Sequence, residues 1–394
     1  MSLTIGVDVG GTKVAAGVVD EHGHIVEKLK RATPSASPPQ TAATIAAAVT
    51  ELLGRHEADA VGIGAAGFVD EVRSNVLFAP NLAWRHEPLQ KEVEARIGVP
   101  VVVENDANAA VWAETMLGAA RGQEHVMLVA VGTGIGAGIV INGQLYRGRW
   151  GIAGEPGHYR VVPEGRLCGC GNRGCWEQYA SGNALVAEAR EFARRAPNAA
   201  VRLLQLGGGV VEGIDGPEVT RAAREGDAVA LRCFEIVGSW LGQGLAALAS
   251  ILDPGCFVIG GGVSDAGDLL LGPARAAFKA ALPGSAYRPH AEIRLAQLGA
   301  DAGLIGAADL ARRALTAERR LAVADGAAAI PEGAAAIRER PAAHSTAPLS
   351  GPEPRDGPSP SRRTTVAKPP TNAVTASSAA QPGTVQPMSV VKSR

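Results

Sequence analysis

Aromatic side chains are scarce in this 394-residue sequence: six Phe, four Tyr and five Trp, or 4%. A core must therefore be built from Ala, Val, Ile and Leu, within a hydrophobic content of 46%. Excess charge is missing too, since 38 basic residues face 39 acidic ones for a net charge of −1. That balance argues against a nucleic-acid or membrane surface as the main partner. No apolar run reaches the roughly 20 residues that span a bilayer. The first residues, with Asp8 and Lys13 inside an alternating, Gly-containing pattern, do not form the n- and h-regions of a secretory leader. Cysteines number only five, which is no disulfide framework. Two of them, Cys233 and Cys256, sit in apolar surroundings and are expected as buried core thiols. These absences together imply a soluble, cytoplasmic protein, long enough for two ordinary domains.

Glycine is what the chain has in plenty, 50 residues, clustered where strand-like runs are punctuated. This suits backbone-lined ligand loops. Residues 3–20 read as two β-runs joined by a Gly-Gly turn. Helices are expected around 41–55, 89–97 and 107–117, and apolar strands over 60–66 and 99–103. The alternation implies an α/β fold. At 126–142 the first hairpin recurs: Val9-Gly-Gly-Thr12 matches Val131-Gly-Thr-Gly134, out of step with the flanking match by one residue. A duplicated strand–Gly turn–strand unit implies two similar domains facing each other across a cleft. Ala130 stands where the first copy has Asp8, so only one copy offers a carboxylate to a metal. A third glycine turn, Gly260-Gly-Gly262, follows a Gly/Ala/Leu-rich helix expected over about 230–252. Further helices are expected over 268–281 and 302–314. From 316 onward, Ala, Pro, Ser, Thr and scattered Arg predict a disordered tail to residue 394.

The turns Gly10-Gly11-Thr12-Lys13 and Gly132-Thr133-Gly134 offer backbone N–H groups suited to phosphate oxygens. Neither is a P-loop, and either alone is equally an ordinary hairpin turn. Asp8, inside an apolar strand, needs a partner, and Mg²⁺ is a natural one. Asp106 ends one apolar strand and begins a helix, so it is either a general base or an N-cap. Asn105 beside it is placed to bond a hydroxyl. His158 with Cys168, Cys170 and Cys175 makes one imidazole and three thiolates, enough for a closed tetrahedral zinc site. A redox switch or free thiols is the alternative. Gly169, Gly171 and Gly174 are expected to let this loop fold around the sulfurs. Glu155 and Glu177 flank it and suit charge-assisted bonds to sugar hydroxyls.

Asp8-Val-Gly-Gly-Thr-Lys13, Glu104-Asn-Asp106, Gly132-Thr-Gly-Ile-Gly-Ala-Gly138, Glu155-Pro-Gly-His158 and Cys168-x-Cys-Gly-x-x-Gly-Cys-x-Glu177 resemble the signatures of the ROK family (repressors, ORFs and kinases) over residues 3–314. The resemblance implies a two-domain actin/hexokinase-like (ribonuclease H-like) ATPase fold. It comprises a small α/β domain over 1–115 completed by about 300–315, and a large α/β domain over 116–299 with the zinc loop at 155–177. It implies ATP-dependent phosphorylation of a hexose, glucose first, by a homodimer or homotetramer. Asp106 is then the base that takes the sugar 6-hydroxyl proton. Gly67, Asn81, Asn105, Glu155, His158 and Glu177 match sugar contacts. Asp8, Gly10, Gly11, Thr12, Lys13, Thr133, Gly134, Gly261 and Gly262 fall to Mg²⁺ and ATP, and His158, Cys168, Cys170 and Cys175 to zinc. One imidazole nitrogen would hold zinc while the other faces the sugar. Pro156 stands where the family commonly has a hydrophobic residue. The family also contains sugar-sensing repressors, but the first strand begins at Leu3 and leaves no place ahead of it for a DNA-binding helix-turn-helix. Fructose, mannose or N-acetylmannosamine as substrate, and polyphosphate as donor, are the nearer alternatives.

Overall fold

The structure, a computed structural model, describes residues 2–328. Two five-stranded sheets carry it. The first contains β1 (Leu3–Val9), β2 (Lys13–Val19), β3 (Ile25–Ala32), β4 (Ala58–Ala65) and β5 (Val101–Asn105), in the order β3-β2-β1-β4-β5. The second contains β6 (Val126–Val131), β7 (Ile135–Ile141), β8 (Gln144–Tyr146), β9 (Cys256–Gly260) and β10 (Glu292–Leu295), in the order β8-β7-β6-β9-β10. Each sheet opens as an antiparallel meander of three strands, then adds two strands parallel to its first. The duplication seen in the glycine pattern is thus a duplicated sheet topology.

Register explains the one-residue slip between the two copies. Val9 pairs with Val14, leaving four residues in the first turn, whereas Val131 pairs with Ile135 and leaves three in the second. Asp8 lies opposite Ala15 and Ala130 opposite Gly136, so Ala130 is the positional counterpart of Asp8. Central strands such as β1 are apolar on both faces because helices cover both. β3, at an edge, carries Glu27, Lys28, Lys30 and Arg31, charges that discourage pairing with another chain.

One core packs β1, β2, β4 and β5 against α1 (Pro38–Leu53) and α2 (Leu89–Ile97), around Ile45, Leu52, Ile63, Trp84 and Leu89. A second, larger core packs β6, β7 and β9 against α4 (Ala228–Leu252) and α5 (Asp268–Ala281), around Trp176, Phe234, Leu241 and Phe257. α4 is long and apolar enough, by length and composition, to cross a membrane, although Arg232 and Glu235 interrupt its apolar run. Cys233, Phe234, Val237, Leu241 and Leu245 on it are nevertheless buried in this core. Cys233 and Cys256 are both fully buried, as expected of core thiols.

Two helices connect the sheets. α3 (Asp106–Met116) leaves β5 toward β6, and α6 (Ala302–Ala328) returns after β10 to cover the first sheet. They touch through Trp112, whose Nε1 donates to Asp309 at 2.9 Å. Buried Glu114 accepts N–H bonds from Gln297, Leu298 and Ala119 at 2.7–2.9 Å, so it holds both connections together. α6 lies directly on sheet backbone. A Cβ on Gly6 would meet Leu304 O at 2.0 Å, and one on neighbouring Gly62 would meet Ala307 O at 1.8 Å.

α6 also corrects the expected start of the tail. It continues past Leu315 to Ala328, through good helix formers such as Ala317, Arg319 and Arg320. The rest of the segment expected to be disordered, 329–394, lies outside the described residues.

Candidate active site

Parallel strands bring their C-terminal ends, and the loops after them, to one edge of a sheet. At that edge Asp8, Gly64 and Glu104 stand in register on β1, β4 and β5. Asn105 and Asp106 follow at the junction with α3. The structure separates two roles that the sequence left merged. Asn105 is the N-cap, its Oδ1 accepting from Asn108 N at 2.9 Å. Asp106 is the first helical residue, its Oδ1 accepting from Ala107 N at 2.9 Å and from Asn105 Nδ2 at 3.1 Å. Asn105 Nδ2 also donates to Gly67 O at 3.1 Å. Asn105 therefore ties Gly67, Asp106 and the helix start together.

Burial pushes the Asp106 carboxyl up to about 6, helped by the negative charge of Asp8. Asp8 is itself raised by burial, against the pull of Lys13 and Lys28 and with a push from Asp301. A desolvated carboxylate with this surplus of acid around it suits a divalent cation. Glu155 comes from the other half of the chain. Its side chain reaches solvent, yet desolvation by its dense surroundings, Asp106 and Glu177 push it up to about 7. Asp8, Asp106, Glu155 and Glu177 thus form one field of carboxylates spanning both halves.

Glycine turns flank that field. The first closes through Gly10 N–H to Lys13 O at 3.0 Å and is braced by Thr33 Oγ1 on Gly10 O at 2.8 Å. A Cβ on Gly11 would lie 3.0 Å from Asn81 Cβ. The structure therefore sets Asn81, expected at the sugar, against the first glycine turn. In the second turn, Gly132 N–H bonds Gly134 O at 3.0 Å, and Gly132 O accepts from Gly182 N at 2.8 Å. A Cβ on Gly134 would stand 2.4 Å from Glu177 Oε2. Gly261, at φ +82°, is pressed against the Val131 backbone, where a Cβ would come within 2.5 Å of its carbonyl oxygen. The second and third glycine turns are thus adjacent at the ends of β6 and β9, and Gly262 starts a short 3₁₀ turn there.

The ligand atoms of His158, Cys168, Cys170 and Cys175 all lie within 4.8 Å of one another. With Zn–S near 2.3 Å and Zn–N near 2.0 Å, a tetrahedral ion sets ligand atoms roughly 3.5–3.8 Å apart. Cys170 Sγ to Cys175 Sγ is 3.6 Å and Cys168 Sγ to His158 Nδ1 is 3.7 Å. The residues fit zinc. His158 turns Nδ1 to the sulfurs, which leaves Nε2 for another partner. Gly171 and Gly174 are at φ +90° and +78°, as a tight loop requires. Gly169 has no positive φ and open space beside it, so the expectation that all three glycines are needed fails at Gly169. Pro156 opens the 3₁₀ turn Pro156–His158, a position its fixed φ favours, so it supports the turn that presents His158.

The pattern of ROK family proteins matches residues 4–314. The chain belongs to the ROK family. It is 54% identical over 312 residues to the glucokinase of Streptomyces coelicolor, covering 79% of this chain and 98% of that protein. It is 38% identical to the glucokinase of Thermotoga maritima, over 79% of this chain and 98% of the relative. Among solved structures it resembles a ROK family glucokinase from Streptomyces griseus in complex with glucose and AMPPNP. That match has 56% identity and a TM-score of 0.73, over 79% of this chain and all of the other. The actin/hexokinase-like fold expected from the motifs is the fold observed.

Sequence reasoning placed Glu104 in a motif without giving it a role, and missed Arg73 and Arg147. Glu104 is 1% exposed, and its signal was available: like Asp8, it is a charge at the end of an apolar strand. Nothing local in the sequence marks Arg147. A cavity of about 580 Å³ lies away from this site, at the opposite ends of β6, β9 and β10, lined by His125, Gly255 and Ala291.

Proposed function

We propose that this chain is a glucokinase that transfers the γ-phosphoryl group of ATP to the 6-hydroxyl of glucose, with Asp106 as general base. The observation that carries the assignment of the base is that Asn105 does the capping. Asp106 keeps one carboxylate oxygen outside the hydrogen bonds described above, at a pKa near the working pH of a cytoplasmic enzyme. A loose phosphoryl-transfer transition state needs little more from the protein than alignment, charge neutralisation and a late proton acceptor. Asn105, Glu155, His158 and Glu177 are assigned to the sugar hydroxyls, with Gly67 and Asn81 at the margin of that pocket. Carboxylates hold hydroxyl donors by charge-assisted bonds, and Glu155 and Glu177 approach Asp106 from the second half.

Gly10, Gly11, Thr12 and Lys13 on one side and Thr133, Gly134, Gly261 and Gly262 on the other are assigned to the nucleotide. Asp8 would hold Mg²⁺, which neutralises phosphate charge when bound. Zinc on His158, Cys168, Cys170 and Cys175 would fix the loop and the imidazole. Gly134 links the two sub-sites, because only a residue without a side chain leaves Glu177 where it stands. Residues 1–115 with 300–315, and 116–299, are assigned as the small and large domains that close on the sugar, in a cytoplasmic homodimer or homotetramer.

The deciding experiment is an initial-rate assay with purified protein over glucose, fructose, mannose and N-acetylmannosamine, with ATP and polyphosphate as donors. The expected result is the highest kcat/KM for glucose with ATP. No ATP consumption with glucose above the sugar-free rate would refute the assignment.

A further inference from the structure

A buried carboxylate needs partners, and those of Glu104 come from both halves of the chain. Its Oε1 accepts from Asn105 N at 2.9 Å and from Asn108 Nδ2 at 3.0 Å, so it grips the backbone just before Asp106. Arg147 Nε donates to the same Oε1 at 3.1 Å and pairs with Oε2 at 2.8 Å, and Arg73 Nε pairs with Oε2 at 3.1 Å. Arg73 belongs to the loop that follows Gly67. Arg147 directly follows β8 of the second sheet.

Both terminal nitrogens of Arg147 also donate. Nη1 donates to Glu71 O at 2.9 Å and Nη2 to Asp70 O at 2.7 Å. Its own carbonyl accepts from Ala153 N at 3.0 Å, which closes a loop whose next residues are Gly154 and Glu155. Inside that loop Gly151 packs on the same segment, where a Cβ would meet Val69 O at 2.5 Å. One guanidinium, 9% exposed in its side chain, therefore joins the Gly67 loop, the Glu104–Asp106 strand end and the arm that carries Glu155 and His158.

We infer that Arg147 is a positioning residue that sets Asp106 and the Glu155 arm at their working separation across the two halves of the chain. The inference rests on the sugar-kinase reading, because it assigns Arg147 to the geometry of that reaction. Its alternative is a purely structural bolt that stabilises the fold and leaves the chemistry alone. The arrangement favours positioning, because all three tethered segments end at groups assigned to the sugar, and α1, α2, α4 and α5, which build the cores, receive none of the bonds. The planar fork matters as well as the charge. A lysine ammonium has no geometry that satisfies Glu104 and two carbonyls in one plane. A misplacement of about 1 Å in aligned reactants costs on the order of 10²-fold in rate.

The test uses the full chain with Arg147→Lys and Glu104→Gln. Each is measured for kcat and KM with glucose and with ATP, at a temperature well below its melting point. Arg147→Lys is expected to lose about 10–100-fold in kcat/KM for glucose, with KM for ATP little changed. Glu104→Gln, which keeps an oxygen for Asn105 N–H, is expected to retain more activity. Wild-type kcat/KM for glucose in a folded Arg147→Lys protein overturns the inference. So does a loss that disappears on cooling, since that marks a stability effect alone. A wild-type chain with no hexose-dependent ATP consumption overturns the sugar-kinase reading and this inference with it. An active wild type matched by an equally active Arg147→Lys sinks only the inference.

Discussion

Replacing Gly174 with Ala places a Cβ 1.7 Å from Val162 O, half the 3.4 Å at which ordinary contact begins. The obstacle is backbone, so no side-chain rotation relieves it. The chain at Gly174 is also pinned: its N–H donates to Arg166 O at 2.8 Å, and its carbonyl accepts from Val161 N at 2.8 Å. Parting the two segments breaks these bonds, each worth about 1 kcal/mol net. Holding Ala at φ +78° adds about 1 kcal/mol. The sum is about 3 kcal/mol, which in a protein of this size lowers Tm by roughly 4–5 °C. Cys175 is the next residue, so the strain falls on a residue assigned to zinc. We expect less than half of the wild-type zinc content by elemental analysis, alongside the Tm shift by calorimetry. Gly169→Ala is the matched control. It adds the same methyl elsewhere in the loop, with no atom within 4 Å, and should leave both readings unchanged. Full zinc and wild-type Tm in Gly174→Ala, or equal damage from Gly169→Ala, would refute the reasoning.

Asp106→Asn should fold normally, because Asn105 caps α3, and should lose about 10²–10⁴ in kcat; near wild-type turnover at saturating glucose would remove Asp106 from the role of base. Cys170→Ala should lower zinc content and weaken glucose affinity together, by about 10–100-fold, with ATP binding spared; unaltered glucose affinity in zinc-free protein would uncouple His158 from the sugar. With Asp106 at about 6 and Glu155 at about 7, kcat/KM for glucose should fall as pH drops through 7 to 6, since the base must be ionised. Stability should move the other way. Both folded-state pKa values are raised above the ordinary carboxylate range, so the stability these groups contribute is present at low pH and lost as pH rises through about 6–7. A Tm that rises from pH 8 to pH 5.5 while activity falls is the expected signature, and Asp106→Asn should flatten it. An unflattened curve would place the effect on other groups.

The duplicated sheet was legible because glycine turns and apolar runs are local signals. Val9-Gly-Gly-Thr12 and Val131-Gly-Thr-Gly134 close hairpins at equivalent strand ends. The zinc cluster was legible for the same reason, since three of its four ligands fall within eight residues. Division of labour between Asn105 and Asp106 was not, because both residue types cap helices. Only the side-chain direction of Asn105 decides it. Arg147 was invisible because its partner Glu104 is 43 residues away, and an arginine after a short strand looks like any surface charge. The tail boundary was misplaced because Ala and Arg served as signs of disorder. Next to a helix already nucleated at Ala302, they extend it at little cost.

The contact between α6 and the first sheet has a consequence for variation. Gly6 and Gly62 sit side by side beneath Leu304 and Ala307, and Gly306 sits over Ala109, where a Cβ would come within 1.8 Å of its carbonyl oxygen. In a library of random single substitutions selected for activity, these three positions should return glycine alone, a gap in tolerance set by backbone contact rather than by chemistry. Neighbouring core sites such as Val7 and Ile63 should accept other aliphatic residues. Homologous chains could then exchange catalytic loops freely, but could trade α6 only together with the sheet it lies on.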